Sequence, residues 1–212
     1  MGYTKAQLRE LARINLSRLS ARQLGTLVLD ALCTTALDIY ARTTLSFEQE
    51  SAINTAPDVS YVSLPTGFIK PVHKHALHVG TGALSQALII PLDELETLQD
   101  RGGSSSYYFA AIDDANGVIE LWPTPSEIIA CLFRNHYVPS IPTAEATAYP
   151  EPLELRPFIQ CVRIALYDYL DDPERAENAR QVFEATYVPG ILKRLKQRRM
   201  PKVAVTQFRK LG

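Results

Sequence analysis

The stretch from Leu45 to Pro152 changes the periodicity of the chain. It is strand-like and punctuated by prolines, and it separates two helical ends. Neither end holds enough helix to bury its own apolar stripe, so the two must cover each other across the inserted segment. The sequence therefore predicts an α+β fold. Residues 1–45 and 150–199 would form a helical bundle, residues 46–149 a β-rich insert, and residues 200–212 an extended C-terminal arm. A chain of 212 residues fits one domain carrying such an insertion.

Charge is segregated along the same lines. Residues 1–24 and 193–212 together carry 13 Lys/Arg against the single acid Glu10, while the rest carries 9 Lys/Arg against 22 Asp/Glu. A net charge of −1 thus conceals basic ends and an acidic body, a pattern suited to docking through the ends. No run approaches the roughly 18 apolar residues of a membrane span, and the first residues lack the apolar core of a signal peptide. A soluble protein made in the cytoplasm is the expectation. Cys33, Cys131 and Cys161 are odd in number and lie in apolar patterns, which fits small buried side chains better than disulfides or a metal site.

At the N-terminus, Thr4 and Gln7 have capping-box spacing for a helix running to Leu16 or Leu19 with Leu8, Leu11 and Ala12 on one face. Lys5, Arg9 and Arg13 recur every four residues and read as a solvated basic stripe. A second helix, Ser20 to Ala41, places Leu24, Leu27, Leu32, Ala36, Leu37 and Tyr40 in its apolar pattern and ends at Thr43-Thr44. In the insert, Leu45, Phe47 and Ile53 read as a strand and its exit, and Tyr61–Leu64 as a short strand stopped by Pro65. Val72–Val79 and Leu84–Ile90 resemble a hairpin across Gly80-Thr81-Gly82. Pro91–Asp100 has helical spacing. Tyr107–Ile112 and Val118–Trp122 flank the turn Asp114–Gly117, and residues 129–137 alternate as one long strand. Beyond the proline-rich linker, Leu155–Tyr169 is helical, Asp172-Pro173 caps a further helix with Ala176, Ala179, Phe183, Tyr187, Ile191 and Leu195 in its stripe, and Pro189 should kink or end it.

Little of this is catalytic. His73 and His75 alternate on a strand and could share a face as metal ligands, but His78 falls on the other face and no carboxylate or cysteine lies nearby in sequence. There is no nucleophile elbow and no phosphate-binding glycine loop. No cofactor is expected. The C-terminal run Lys193, Arg194, Lys196, Arg198, Arg199, Lys202, Arg209 and Lys210 contains no acid, so it favours contact with phosphates or an acidic protein surface. Among these cations, Val203, Val205 and Phe208 are apolar residues without partners in their own segment.

The opening helices, Tyr61-Val62-Ser63-Leu64-Pro65 with Phe68 and Pro71, Tyr107-Tyr108, Ile119–Pro125, Tyr137-Val138-Pro139 and the paired C-terminal helices together resemble the head-to-tail adaptor (connector, neck) proteins of tailed bacteriophages. The resemblance covers almost the whole chain. It implies a structural ring of copies of this chain, usually twelve, beneath the portal at the neck of the virion, made in the host cytoplasm. The portal protein would be the partner on one side and tail, nozzle or neck proteins on the other, with DNA passing through the hole unbound. Lys193–Gly212 would then be the portal-side arm, and the loop Arg101, Gly102, Gly103, Ser104 a candidate tail contact. Two other readings remain beside it: a DNA-binding protein gripping duplex with its basic tail, and a small metal-dependent enzyme at His73 and His75.

Overall fold

The computed structural model describes residues 3–16, 25–80, 86–103, 105–140, 144 and 153–199. Helix α1 covers Lys5–Leu16 and α2 Thr26–Thr44. The Thr4 N–H donates to Gln7 Oε1 at 2.9 Å and the Gln7 N–H donates to Thr4 Oγ1 at 3.3 Å, the reciprocal bonds of the predicted capping box. Gly25 is the N-cap of α2, and Leu45, with φ 50°, turns the chain out of it. Leu45 and Phe47 are therefore not strand residues as expected. The helix begins at Thr26 rather than Ser20 and ends at Thr44, as Thr43-Thr44 is expected to end it, and Phe47 is buried in the helical core.

The middle of the chain forms a mixed sheet of eight strands: β1 Glu48–Asn54, β2 Tyr61–Ser63, β3 Phe68–Pro71, β4 Leu77–Val79, β5 Gln86–Ile89, β6 Phe109–Asp113, β7 Val118–Trp122 and β8 Ala130–Tyr137. Their order is β1-β8-β4-β5-β6-β7-β2, with β3 also on β8, and the end strands β1 and β2 approach each other so that the sheet is nearly closed. Strand β8 is the hub. Its alternation buries Cys131, Phe133 and Asn135, while β1 pairs along it from Glu48↔His136 to Asn54↔Ala130. Strands β4 and β5 pair antiparallel, but β4 begins at Leu77 rather than Val72, and the expected turn at residues 80–82 lies partly outside the described residues. The β6–β7 hairpin forms as predicted, closed by Asp113, whose carboxylate accepts the Ala115 and Asn116 N–H groups. Helix α3, Leu92–Arg101, bridges β5 to β6, and those two strands pair in parallel, as strands joined by a helical crossover do.

The C-terminal part contains α4 (Leu155–Tyr169), α5 (Pro173–Val182), a π-helical turn (Phe183–Tyr187) and α6 (Val188–Arg199). Asp172 accepts the Arg175 N–H at 3.1 Å and Pro173 takes the first helical position. Pro189 does not end the helix. The π turn immediately before it, in which the Val188 N–H reaches Phe183 O, absorbs the missing donor and the ring, and α6 continues.

Two apolar clusters result. One gathers Leu8, Ala12 and Leu16 of α1, Leu29 to Ala41 of α2, Phe158 to Leu166 of α4, Ala179 of α5, Phe183 and Ile191 of α6. The other lies in the sheet around Leu77, Ile119, Leu121 and Phe133. An aromatic series leads from the first toward the sheet: Phe183 to Tyr40 at 6.5 Å, Tyr40 to Phe47 at 5.9 Å, and Phe47 edge-on to Tyr137 of β8 at 6.3 Å. Tyr40 is fully buried, and its hydroxyl accepts the Glu154 N–H just ahead of α4. Burial pushes its phenol up to about 12.

Candidate assembly surfaces

Of the C-terminal cations, Lys193, Arg194 and Lys196 are exposed on α6. Arg198 and Arg199 lie in its last turn, and Lys202, Val203, Val205, Phe208, Arg209 and Lys210 fall outside the described residues. Arg194 is committed within the fold: its guanidinium forks onto the Glu154 carboxylate, with Nε at 2.9 Å from Oε1, and so ties α6 to the start of α4. A cavity of about 240 Å³ opens between α6 and the sheet, lined by Leu192, Leu195 and Lys196 on one side and Lys70, Val72 and His136 on the other.

His136 is only 4% exposed, and its Nδ1 has no hydrogen-bond partner among the described residues. Burial pushes its pKa below the ordinary value of 6.5 and the Lys70 charge adds to that, against the opposing pull of the Phe47 and Leu45 carbonyls. Its neighbour Asn135 donates to the His136 carbonyl at 3.1 Å but leaves Oδ1 unpartnered.

The histidine pair is not on a strand. Residues 72–75 are a bend and turn ahead of β4, where the His75 N–H donates to His73 Nδ1 at 3.1 Å, so the strand alternation that would align the two rings does not exist. Burial and the nearby Arg134 lower the His73 pKa. Among the described residues no group of three or more His, Cys, Asp or Glu side chains could hold a metal ion. The three cysteines are buried free thiols, with Cys33 pushed up to about 12 by burial. The loop residues Arg101, Gly102 and Gly103 are exposed where α3 ends, the glycines at φ 62° and 115°, and Ser104 lies outside the described residues.

The N-terminal basic stripe is not a solvated face. Lys5 Nζ lies 3.3 Å from Asp30 of α2, and Arg9 meets the same carboxylate through two bonds of 2.8 and 3.1 Å. Burial alone would raise the Asp30 pKa, but the hydrogen bonds and charges of Arg9 and Lys5 outweigh it and hold the group below its usual value. The one Asp thus clamps α1 on α2.

The chain also shows two surfaces that periodicity assigns to the core or leaves unremarked. Between α2 and α4 an open apolar groove is walled by Leu27, Ala31, Ala165 and Tyr169, with Leu27 84% and Tyr169 60% exposed. Both residues fit the apolar spacing of their helices, yet each sits in a terminal turn where no neighbouring helix covers it. On α1 and α4, Ile14 is 59% exposed beside a cleft containing Asn15, Arg156, Arg163 and Tyr187.

This is a set of surfaces, clefts and caps without a catalytic constellation among the described residues. A family model for the SU10 adaptor protein matches residues 3–207. The chain belongs to the SU10 adaptor protein family. The resemblance to phage head-to-tail adaptors drawn from its sequence agrees with that membership, and a structural virion component is what an adaptor of this family is. No curated protein matches the chain. Among the adaptor's described residues, no helix is long and apolar enough to cross a membrane.

Proposed function

We propose that this adaptor forms a ring beneath the portal of a tailed phage, twelve-fold as the resemblance implies, and joins the DNA-filled head to the tail while letting DNA pass. The observation that carries this reading is the family match over residues 3–207. In this proposal the helices of residues 1–45 and 150–199 are a bundle that carries residues 46–149 as an insert; the two separate apolar clusters support that division. The protein acts by contact, with no catalytic turnover. The acidic body would line a channel that repels phosphates and keeps DNA sliding.

The arm Lys193–Gly212 would reach the portal. Exposed Lys193 and Lys196 on α6 and the acid-free run that follows supply attraction, with Val203, Val205 and Phe208 as apolar anchors. The exposed end of α3 at Arg101–Gly103 would face the tail. The test adds purified protein to portal-bearing, DNA-filled heads and images the neck. A ring under the portal is expected. With the chain truncated after Arg199, the fold should persist and attachment should be lost. Heads that gain no density at the portal sink the adaptor reading, and wild-type attachment by the truncated chain sinks the arm.

A further inference from the structure

Two faces of the helical region complement each other in charge. The first is the α2–α4 groove with Leu27 and Tyr169, continued by Leu170, which is 53% exposed. Beside it, Asp171 and Glu174 are exposed and have no ion-pair partner among the described residues, whereas Asp168 is engaged by Arg180 and Asp172 by Arg175. The second is the cleft lined by Asn15, Arg156 and Arg163, with the exposed Ile14 next to Asn15 on α1. Neither arginine has an ion-pair partner among the described residues, and Arg163 donates only to Gln160 Oε1 at 3.3 Å. One face thus offers apolar side chains edged by free acids; the other offers an apolar side chain edged by free guanidinium groups.

Helical projection fixes how they can meet. Arg156 precedes Ala165 by nine residues and Arg163 precedes it by two, and at about 3.6 residues per turn both lie roughly half a turn from Ala165 in the groove. The arginines and the groove are therefore on opposite sides of α4. Two faces on opposite sides of one helix cannot join each other in a two-fold dimer. They can join only head to tail, each copy giving one face to the copy before and the other to the copy after.

We propose that the α2–α4 groove of one copy, with Leu27, Tyr169 and Asp171, is the docking site for the surface of the next copy that carries Ile14, Arg156 and Arg163, in a heterologous contact that propagates around the assembly. This rests on the ring of the proposed function and names the surfaces that build it. An exposed Leu and Tyr gain desolvation there, and Asp171 and Glu174 gain partners in Arg156 and Arg163.

The test uses the full-length chain in sedimentation velocity with two double variants, Leu27→Glu/Tyr169→Glu and Ile14→Glu/Arg156→Glu. All four positions are exposed, so circular dichroism should show both variants folded. The wild type should form species larger than a dimer as concentration rises, and each variant alone should stay monomeric. Mixed in equal amounts, the two variants should form a dimer and nothing larger, because only one intact pair of faces exists in the mixture. A wild type that is monomeric up to millimolar concentration, or that stops at a dimer, overturns the proposal. So does either variant assembling like wild type, or a mixture without dimers. Portal-bearing heads separate this from the adaptor reading. If wild type attaches to them while both variants self-assemble normally, the interface is wrong and the adaptor stands; if wild type self-assembles through these faces but ignores the heads, the adaptor reading fails and the interface stands.

Discussion

The helical region and the sheet are stabilised in different ways. The helical core is built from the two ends of the chain, and its buried side chains are large: Tyr40, Phe47, Phe158, Phe183, Leu8, Leu16, Leu29 and Leu37 are all essentially inaccessible. The sheet core is local, since every strand partner lies between Glu48 and Tyr137, and it is filled mostly by smaller residues such as Val62, Ala76, Ala87, Ala110 and Cys131 around Phe133. One region depends on distant segments meeting and gains much from each aromatic ring. The other depends on hairpins and on β8, and gains less from each side chain.

Deleting residues 1–44 tests that contrast hardest. The helices after residue 153 lose the α2 face that covers α4 and should unfold, while the sheet, whose partners are all retained, keeps the Trp122 fluorescence of a folded environment. Retention of the full helical circular-dichroism signal would break the comparison. Next in size is Phe158→Ala, which should cost roughly 4 kcal/mol in urea unfolding, against about 3 kcal/mol for Phe133→Ala in the sheet. Equal losses would mean that the two cores are equally demanding.

The joint between the regions should respond at an intermediate level. At Gly67, with φ 73°, an added Cβ would lie 2.5 Å from the Val138 carbonyl oxygen, whose own N–H donates to Gly67 O. Gly67→Ala should cost about 2 kcal/mol, because the left-handed backbone and the backbone clash oppose the side chain together. An unchanged urea midpoint would contradict this. Asp30→Asn, which leaves Lys5 and Arg9 without their shared carboxylate, should cost about 1 kcal/mol and show most in amide exchange of α1.

The smallest effect is a pH dependence at His136. Its folded pKa is depressed below 6.5, so the neutral ring is favoured in the fold; the stability it contributes is complete above 6.5 and is lost as pH falls through the folded value. His136→Gln should flatten the thermal-midpoint profile below pH 6.5 and leave it unchanged above. Identical slopes for the two proteins would remove His136 from the account.

Much of this was legible in the residues themselves wherever the determining interaction is local. Thr4 with Gln7, Asp172 with Pro173, the turn at Asp114–Gly117 and the alternation through β8 each settle a structure within a few residues. The failures were of long range. Lys5 and Arg9 look like a solvated stripe until Asp30, on another helix, is placed against them. Leu27 and Tyr169 carry the apolar spacing of core positions but sit past the ends of their neighbours. His73 and His75 alternate as a strand does, yet β4 begins only at Leu77. Pro189 is expected to kink the helix or end its regular part, and the α-helix does break just before it, but the π turn that carries the chain on to α6 has no signature in periodicity.

The place of β8 and α4 in the chain has a consequence for synthesis. Strands β1, β3 and β4 all pair with β8, and the apolar face of α2 is covered by α4, so the earlier segments leave the ribosome before their partners exist. At about 5–20 residues per second, α2 waits on the order of ten seconds for α4 to emerge. During that interval Leu29, Leu37 and Tyr40 lack their native cover, and the nascent chain is at its most vulnerable to proteases and to premature contact with its own copies.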